Sequence, residues 1–387
     1  MWFFSCPTIV FGEDALEHLR EIRGERALIV TDRNIVGLGY VEQVTSQLEK
    51  AGLPYRIFSG VEPDPTLQTV EEGARLARDY RPDWIIALGG GSVMDAAKAI
   101  WVLYARSDIR PDAISPTEIL NLRQKARLIA IPTTSGTGSE VTWGIVLTDA
   151  KEHRKLALGS RETMPDIAIL DISFVMNLPA QISGDTGMDV LVHSIEGYTS
   201  NWRSDFSDAP ALSAVKLVFR YLSRAYADGS DREARTGMMH AATLASMSFG
   251  NAMAGLAHSM GHALGALFHV PHGRAVGLFL PYTMEYLAEA VAERYEDIGR
   301  SVGISDGSRM EIIRVLISQI RSLAGSVGQP LSVQDAGIEP ATFEESLAAL
   351  VDRAENEVTT VTVARVPDGT ELQKLFRCAY AGETVDF

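Results

Sequence analysis

The sequence predicts an α/β domain built on a parallel sheet over residues 1–178, followed by an all-α domain over residues 179–387. Two observations carry this. In the first half, short β-branched runs that are apolar on both faces alternate with helical stretches, as the strands of a parallel sheet covered on both sides must. After Asn177-Leu178-Pro179 the chain turns to long stretches rich in Ala, Met, Leu and Glu, and the bias against helix before proline places a boundary there. With 46% hydrophobic and 22% charged residues among 387, the chain can build two ordinary cores.

The elements follow in order. Met1 to Pro7 is apolar but short and lacks a cationic lead, so it reads as a strand and not as a signal peptide. Ala27–Asp32 is a strand, followed by helix to about Ala51. Tyr55–Phe58 is a second, followed by helix from Thr66 to Tyr80. Asp83–Gly89 is a third, with Ser92 opening the next helix, and Arg127–Ile131 and Asp166–Asp171 continue the series.

Composition narrows the function. The net charge of −15, from 35 basic and 50 acidic residues, opposes nucleic acid or an anionic membrane as partner, because both need a positive patch. Cys6 and Cys378 lie at opposite ends, so neither a disulfide framework nor a Cys-based zinc site can be built. No run reaches the roughly 20 apolar residues that span a bilayer. A cytoplasmic protein is expected.

Two segments look like loops that cradle phosphate. Gly89-Gly-Gly-Ser-Val-Met-Asp95 lies between a strand and a helix, with Ser92 as N-cap and Asp95 as an acidic capping-box variant. It is either a plain tight turn or a site where N–H groups and the helix dipole meet a pyrophosphate. Pro132-Thr-Thr-Ser-Gly-Thr-Gly-Ser-Glu140 follows another strand with an unusual density of hydroxyls. Asp32, at the end of the first clear strand, either caps the next helix or accepts from an adenosine ribose. A free 2′-hydroxyl suits it and a 2′-phosphate does not, which favours NAD over NADP.

The helical half carries a candidate metal site. Asp189 and His193 share one helical face at i and i+4. His258 and His262 repeat that spacing, and His269 and His272 follow behind Gly265 and Pro271. Burying so many imidazoles without partners is costly, and a divalent metal accounts for them. Asp189, His193, His258 and His272 would make four ligands. A catalytic site with four protein ligands asks for a metal accepting five or six, such as ferrous iron, although zinc also binds such donors.

Together these residues resemble the iron-containing (group III) alcohol dehydrogenase family, in an ordered set that spans essentially the whole chain. The resemblance implies a Rossmann-like dinucleotide-binding domain and a helical domain, the dehydroquinate synthase-like architecture, with the active site in the cleft between them. It implies Asp189, His193, His258 and His272 as metal ligands and His262 as an additional active-site histidine. His262 either relays the alcohol proton or orients a ligand. Gly90, Gly91, Ser92, Asp95, Thr133, Thr134, Thr137 and Ser139 would hold the dinucleotide, with Lys155 reaching it from a short strand.

The implied activity is hydride transfer between a small alcohol and an aldehyde or ketone with NAD(H), in a homodimer that uses Fe2+, or Zn2+. Three other readings stand beside it: a zinc-dependent glycerol or polyol dehydrogenase, a dehydroquinate synthase-like lyase, and a catalytically silent metal- and nucleotide-binding regulator. The chain departs from the family pattern at Ala364-Arg-Val-Pro-Asp368 and at Trp143-Gly144.

Overall fold

The computed structural model describes residues 3–152 and 154–387. Contacts divide the chain into two compact units, Ser5–Met176 and Asn177–Phe387, the second including the first few residues.

In the N-terminal unit six strands form one sheet: β1 (Thr8–Phe11), β2 (Ala27–Asp32), β3 (Tyr55–Val61), β4 (Trp84–Gly89), β5 (Arg127–Pro132) and β8 (Ile167–Leu170), in the order β1-β8-β5-β4-β2-β3. All pairs are parallel. Between β5 and β8, β6 (Gly144–Asp149) and β7 (Arg154–Gly159) form a separate antiparallel hairpin. The helices are α1 (Arg33–Gly37), α2 (Tyr40–Lys50), α3 (Leu67–Tyr80) and α4 (Gly91–Ala105).

The strands show why both faces read as apolar. In β2, Ala27 and Ile29 join the core under α2, while Leu28 and Val30 join the core under α3 and α4. In β4, Trp84, Ile86 and Leu88 face the first core, and Ile85 and Ala87 the second. Successive side chains point to opposite faces, so a strand covered on both sides shows no alternation of apolar with polar residues. Thr66 caps α3 by accepting from the Thr69 N–H, which sets the helix start where the sequence places it.

The first strand is Thr8–Phe11, paired with Ile167–Leu170, and not the preceding apolar stretch. Phe3 to Pro7 has no regular structure, and Met1 and Trp2 of that expected strand lie outside the described residues. Among the described residues, Phe3 to Pro7 have no β8 partner; the half-buried Thr8–Phe11 does.

The second unit is helical: α5 (Ala180–Thr199), α6 (Asp205–Ala227), α7 (Arg232–Ala252), α8 (Leu256–Phe268), α9 (His272–Leu287), α10 (Ala292–Ser301), α11 (Arg309–Ser326), α12 (Pro340–Glu355) and α13 (Gly369–Ala381). Met238 and Met239 are buried, Met238 within the main core, as gap-filling methionines are. Among the described residues, no helix is long and apolar enough to cross a membrane.

Helices α8 and α9 meet backbone to backbone at Gly261, where an added Cβ would stand 2.9 Å from the Cα and N of Val276. Gly261→Ala is therefore expected to push the helices apart and cost about 1–3 kcal/mol. Gly37→Ala, which meets nothing within 4 Å, should change stability by less than about 0.5 kcal/mol. Chemical denaturation of both variants checks this.

Candidate metal centre and dinucleotide cradle

One stripe of α5 supplies half the metal site. Asp189 and His193 are one turn apart and buried. His258 comes from the first turns of α8, and His272 is the first residue of α9. Each of the three imidazoles approaches the same atom: Asp189 Oδ1 lies 3.5 Å from His193 Nε2, 3.7 Å from His258 Nε2 and 3.5 Å from His272 Nε2. One potential ligand atom from each residue falls within 4.8 Å of all the others. Donors about 2.1 Å from one tetrahedral centre stand about 3.4 Å apart, so the grouping fits a single cation.

Two of these atoms have no other use. Asp189 Oδ1 and His258 Nε2 are buried and make no hydrogen bond within the protein. Orphaned buried acceptors are costly, and a cation shared by both removes the cost. Three imidazoles and one carboxylate suit Fe2+ or Zn2+.

His258 is oriented from behind. Its Nδ1 lies 2.6 Å from Glu196 Oε2, and an Nδ1–H donating there leaves the Nε2 lone pair aimed at the site. Glu196 also accepts from the N–H groups of Gly255, at 2.8 Å, and Ala257, at 2.6 Å. Gly255 has no side chain with which to cap α8, so this carboxylate from α5 serves as its cap. Burial disfavours the His258 imidazolium, yet the Glu196 carboxylate raises the pKa above the ordinary histidine value. Burial also acts on Asp189, but the three surrounding imidazoles hold its carboxyl well below the usual range. His193 stacks on Phe249 at 4.0 Å, and burial presses its pKa down to about 3.

His262 lies beside the four, its ring 5.7 Å from that of His258 and 5.2 Å from that of His272. Its Nδ1 is 3.5 Å from Glu357 Oε2. Burial lowers its pKa below the ordinary value, which keeps the imidazole neutral near pH 7.

In the N-terminal unit the register does the assembly. Gly89 pairs with Pro132 across β4 and β5, and the Thr133 N–H donates to the Gly89 carbonyl at 3.0 Å. The two loops therefore leave the sheet side by side. A Cβ on Gly90 would stand 3.3 Å from Thr134 Cγ2, and one on Gly91 2.9 Å from Thr137 Cγ2. Only glycine allows this approach, and it leaves the N-terminal N–H groups of α4 without a capping side chain, the arrangement that binds anions. Asp32 ends β2, next to β4 in the sheet. The strand order reverses between β2 and β4, the place where open α/β sheets bind ligands.

Residues 6–172 match the family model for iron-containing alcohol dehydrogenase, and residues 183–380 match the C-terminal model of the same family. The chain belongs to the iron-containing alcohol dehydrogenase family. It is 37% identical over 390 residues to the NADPH-dependent butanol dehydrogenase of Clostridium saccharobutylicum, covering the whole of both. It is 33% identical over 383 residues to the lactaldehyde reductase of Escherichia coli K12, covering 96% of this chain and 98% of that one. A solved structure described as 1,3-propanediol oxidoreductase is similar with a TM-score of 0.91 at 32% identity, covering 98% of this chain and 100% of that one. The aldehyde-alcohol dehydrogenases of Streptococcus pneumoniae are longer, and the chain spans 46% of their length.

An alcohol dehydrogenase of this family is an oxidoreductase of alcohols and aldehydes, and the family implies iron and a nicotinamide dinucleotide. The comparisons do not support the polyol dehydrogenase, lyase or regulator readings. The structure brings all four expected ligands together, with His262 at their side, and places Gly90, Gly91, Ser92, Thr133, Thr134 and Thr137 along the paired loops.

Two expectations need correcting. Ser92 is not the N-cap of α4; Gly90 is. Asp95 makes no capping box, because Lys98, Ser139 and the Val146 N–H draw its carboxylate inward. Ser139 accordingly donates to Asp95 at 2.8 Å and accepts from the buried Lys98 at 2.7 Å, which ties the loop to α4. Asp32 does cap α1, accepting from the N–H groups of Asn34 and Ile35, and Lys155 Nζ lies 2.8 Å from Asp64. Sequence reasoning missed Glu196 and Glu357. Glu196 falls three residues after His193 on the same stripe, and that spacing was the available signal.

Glu196→Ala should weaken cation binding by about 10- to 100-fold, measured by chelator competition. A pH effect follows from His193. Its folded pKa of about 3 lies below the unfolded value, so the unfolded chain takes up the proton first on acidification. The stability His193 contributes is complete above about pH 6.5 and is lost as pH falls towards 3, while the raised His258 contributes with opposite sign. Melting of metal-stripped protein across this range should fall less steeply in His193→Gln than in the wild type.

Proposed function

We propose that this family member is an Fe2+-dependent, NAD-preferring oxidoreductase of small aliphatic alcohols and aldehydes. The observation that carries the reading is the convergence on one centre of three imidazoles and one buried carboxylate whose Oδ1 makes no hydrogen bond among the described residues. Asp189, His193, His258 and His272 would hold the cation, which when bound supplies Lewis acidity to an alcohol or carbonyl oxygen.

The protein's own groups manage position and protons. Glu196 keeps the His258 ring in register by taking up its Nδ1 side, so that Nε2 is the ring atom turned to the cation. His262, neutral and half exposed, is suited to accept the alcohol proton, with Glu357 beside its Nδ1 to balance the imidazolium. The N–H groups of Gly91 and Ser92 and the hydroxyls of Thr133, Thr134 and Thr137 would receive the pyrophosphate in a chain whose net charge of −15 offers little other attraction. Asp95 and Ser139 hold that loop from below. Lys155, paired with Asp64 on the surface, would reach the dinucleotide only by leaving that partner.

Asp32 supports NAD. One carboxylate oxygen is spent on capping α1, and its charge at the end of β2 would repel a 2′-phosphate. The butanol dehydrogenase relative is NADPH-dependent, and the comparison of NADH with NADPH therefore tests the role of Asp32 directly.

Anaerobically purified protein should reduce small aldehydes with a higher kcat/KM for NADH than for NADPH, and Asp32→Gly should narrow that ratio. Chelation should abolish turnover, and Fe2+ should restore more of it than Zn2+. His262→Ala should lower kcat by at least about 100-fold with cation content unchanged. Activity that survives complete metal removal, or a clear NADPH preference, would refute the corresponding part of the reading.

A further inference from the structure

Four ionisable residues lie along one stripe of α5: Asp185, Asp189, His193 and Glu196, at i, i+4, i+8 and i+11, all buried. The middle pair are ligands, and Glu196 at one end fixes the segment that carries His258. Asp185, at the other end, turns to a different set of partners. Its Oδ1 accepts from Arg274 Nε at 3.1 Å and from Gln329 Nε2 at 2.7 Å, and it forms an ion pair with Arg274, whose Nη2 is also 3.1 Å away.

Arg274 is two residues beyond His272 in the first turn of α9. Between them, Gly273 lies so close to α5 that an added Cβ would stand 2.2 Å from the Asp185 carbonyl oxygen and 3.2 Å from Asp189 Cβ. His272 is the least buried of the four ligands, its side chain 41% exposed, and Pro271 before it gives α9 no side-chain cap. The Asp185–Arg274 contact adds a directional, charge-assisted pair to this close packing, at the turn that carries His272.

We infer that Asp185 is a positioning residue for His272, as Glu196 is for His258: the Asp185–Arg274 pair clamps the first turn of α9 onto α5 and thereby sets the Nε2 of His272 against the cation. The pair orders the site from both ends of one helix stripe. Asp185 is not itself a ligand. The inference rests on the metal reading above.

The test is cation affinity of metal-stripped protein, titrated with Zn2+ and with Co2+ against a chromophoric chelator, alongside the melting temperature of the same metal-free samples. Asp185→Asn and Arg274→Met should each weaken binding by about 10- to 100-fold, and the double variant should be no weaker than the worse single one, since both remove one interaction. The metal-free melting temperature should stay within a few degrees. Arg274 is partly exposed, so Arg274→Met is expected to fold and decides the matter if Asp185→Asn does not. Wild-type affinity in the variants, or affinity lost only in proportion to metal-free stability, would overturn the positioning role. A wild type that binds neither cation is a different failure, and it removes the metal reading itself together with this inference.

Discussion

A buried carboxylate oxygen without a protein hydrogen-bond donor sets the terms for the helical unit. Asp189 Oδ1 is surrounded by three imidazole nitrogens, and none of them donates to it within hydrogen-bond distance. Such an arrangement persists only if something else rewards it, because the desolvation cost of an unpaired buried charge is several kcal/mol. The helices are arranged to bring imidazoles from three separate segments to that atom. α5 provides Asp189 and His193 by its own periodicity, and α8 and α9 deliver one imidazole each because Gly261 lets them lie against one another.

The proposed dinucleotide cradle of the sheet unit faces the opposite problem, that of receiving an anion in an acidic chain. It uses backbone. The pairing of Gly89 with Pro132 sets two loops side by side, and the glycines remove the side chains that would block the N-terminal N–H groups of α4. The charged residues nearby are turned inward. Lys98 is fully buried, donates to Ser139 and to the Gly144 carbonyl, and is pressed by burial down to about 8. Burial raises Asp95 in turn. This pair belongs to the scaffold under the loops, and the cradle itself stays neutral.

How much of this could be read from the sequence depends on how local each signal is. The parallel sheet was legible because doubly covered strands such as Ala27–Asp32 and Trp84–Gly89 are apolar throughout, and the start of the helical unit because proline interrupts at Pro179. The four grouped residues of the candidate metal site were legible because i, i+4 spacing and a density of histidines are local patterns. Ser92 and Asp95 misled for the same reason. Their spacing imitates a capping box, but a cap is decided by where the carboxylate finds its best partners, and Asp95 finds Lys98, Ser139 and the Val146 N–H. Glu196, Glu357 and Asp185 act on residues 62, 95 and 89 positions away, at His258, His262 and Arg274. No window along the chain contains both members of such a pair.

Charge balance then separates ligands from supports. With neutral imidazoles, the buried carboxylates of Asp189 and Glu196 leave two negative charges at the centre, which one divalent cation offsets. Asp185, one turn away on the same stripe, would add a third, and it carries its own counter-charge in Arg274. A carboxylate already neutralised by a guanidinium is a poor metal ligand and a good clamp, since a charge-assisted pair fixes direction as well as distance. Along α5 each acidic residue therefore takes its role from its partner. An imidazole cluster makes Asp189 the candidate ligand, a single imidazole and two N–H groups make Glu196 an orienting cap, and an arginine makes Asp185 the proposed anchor.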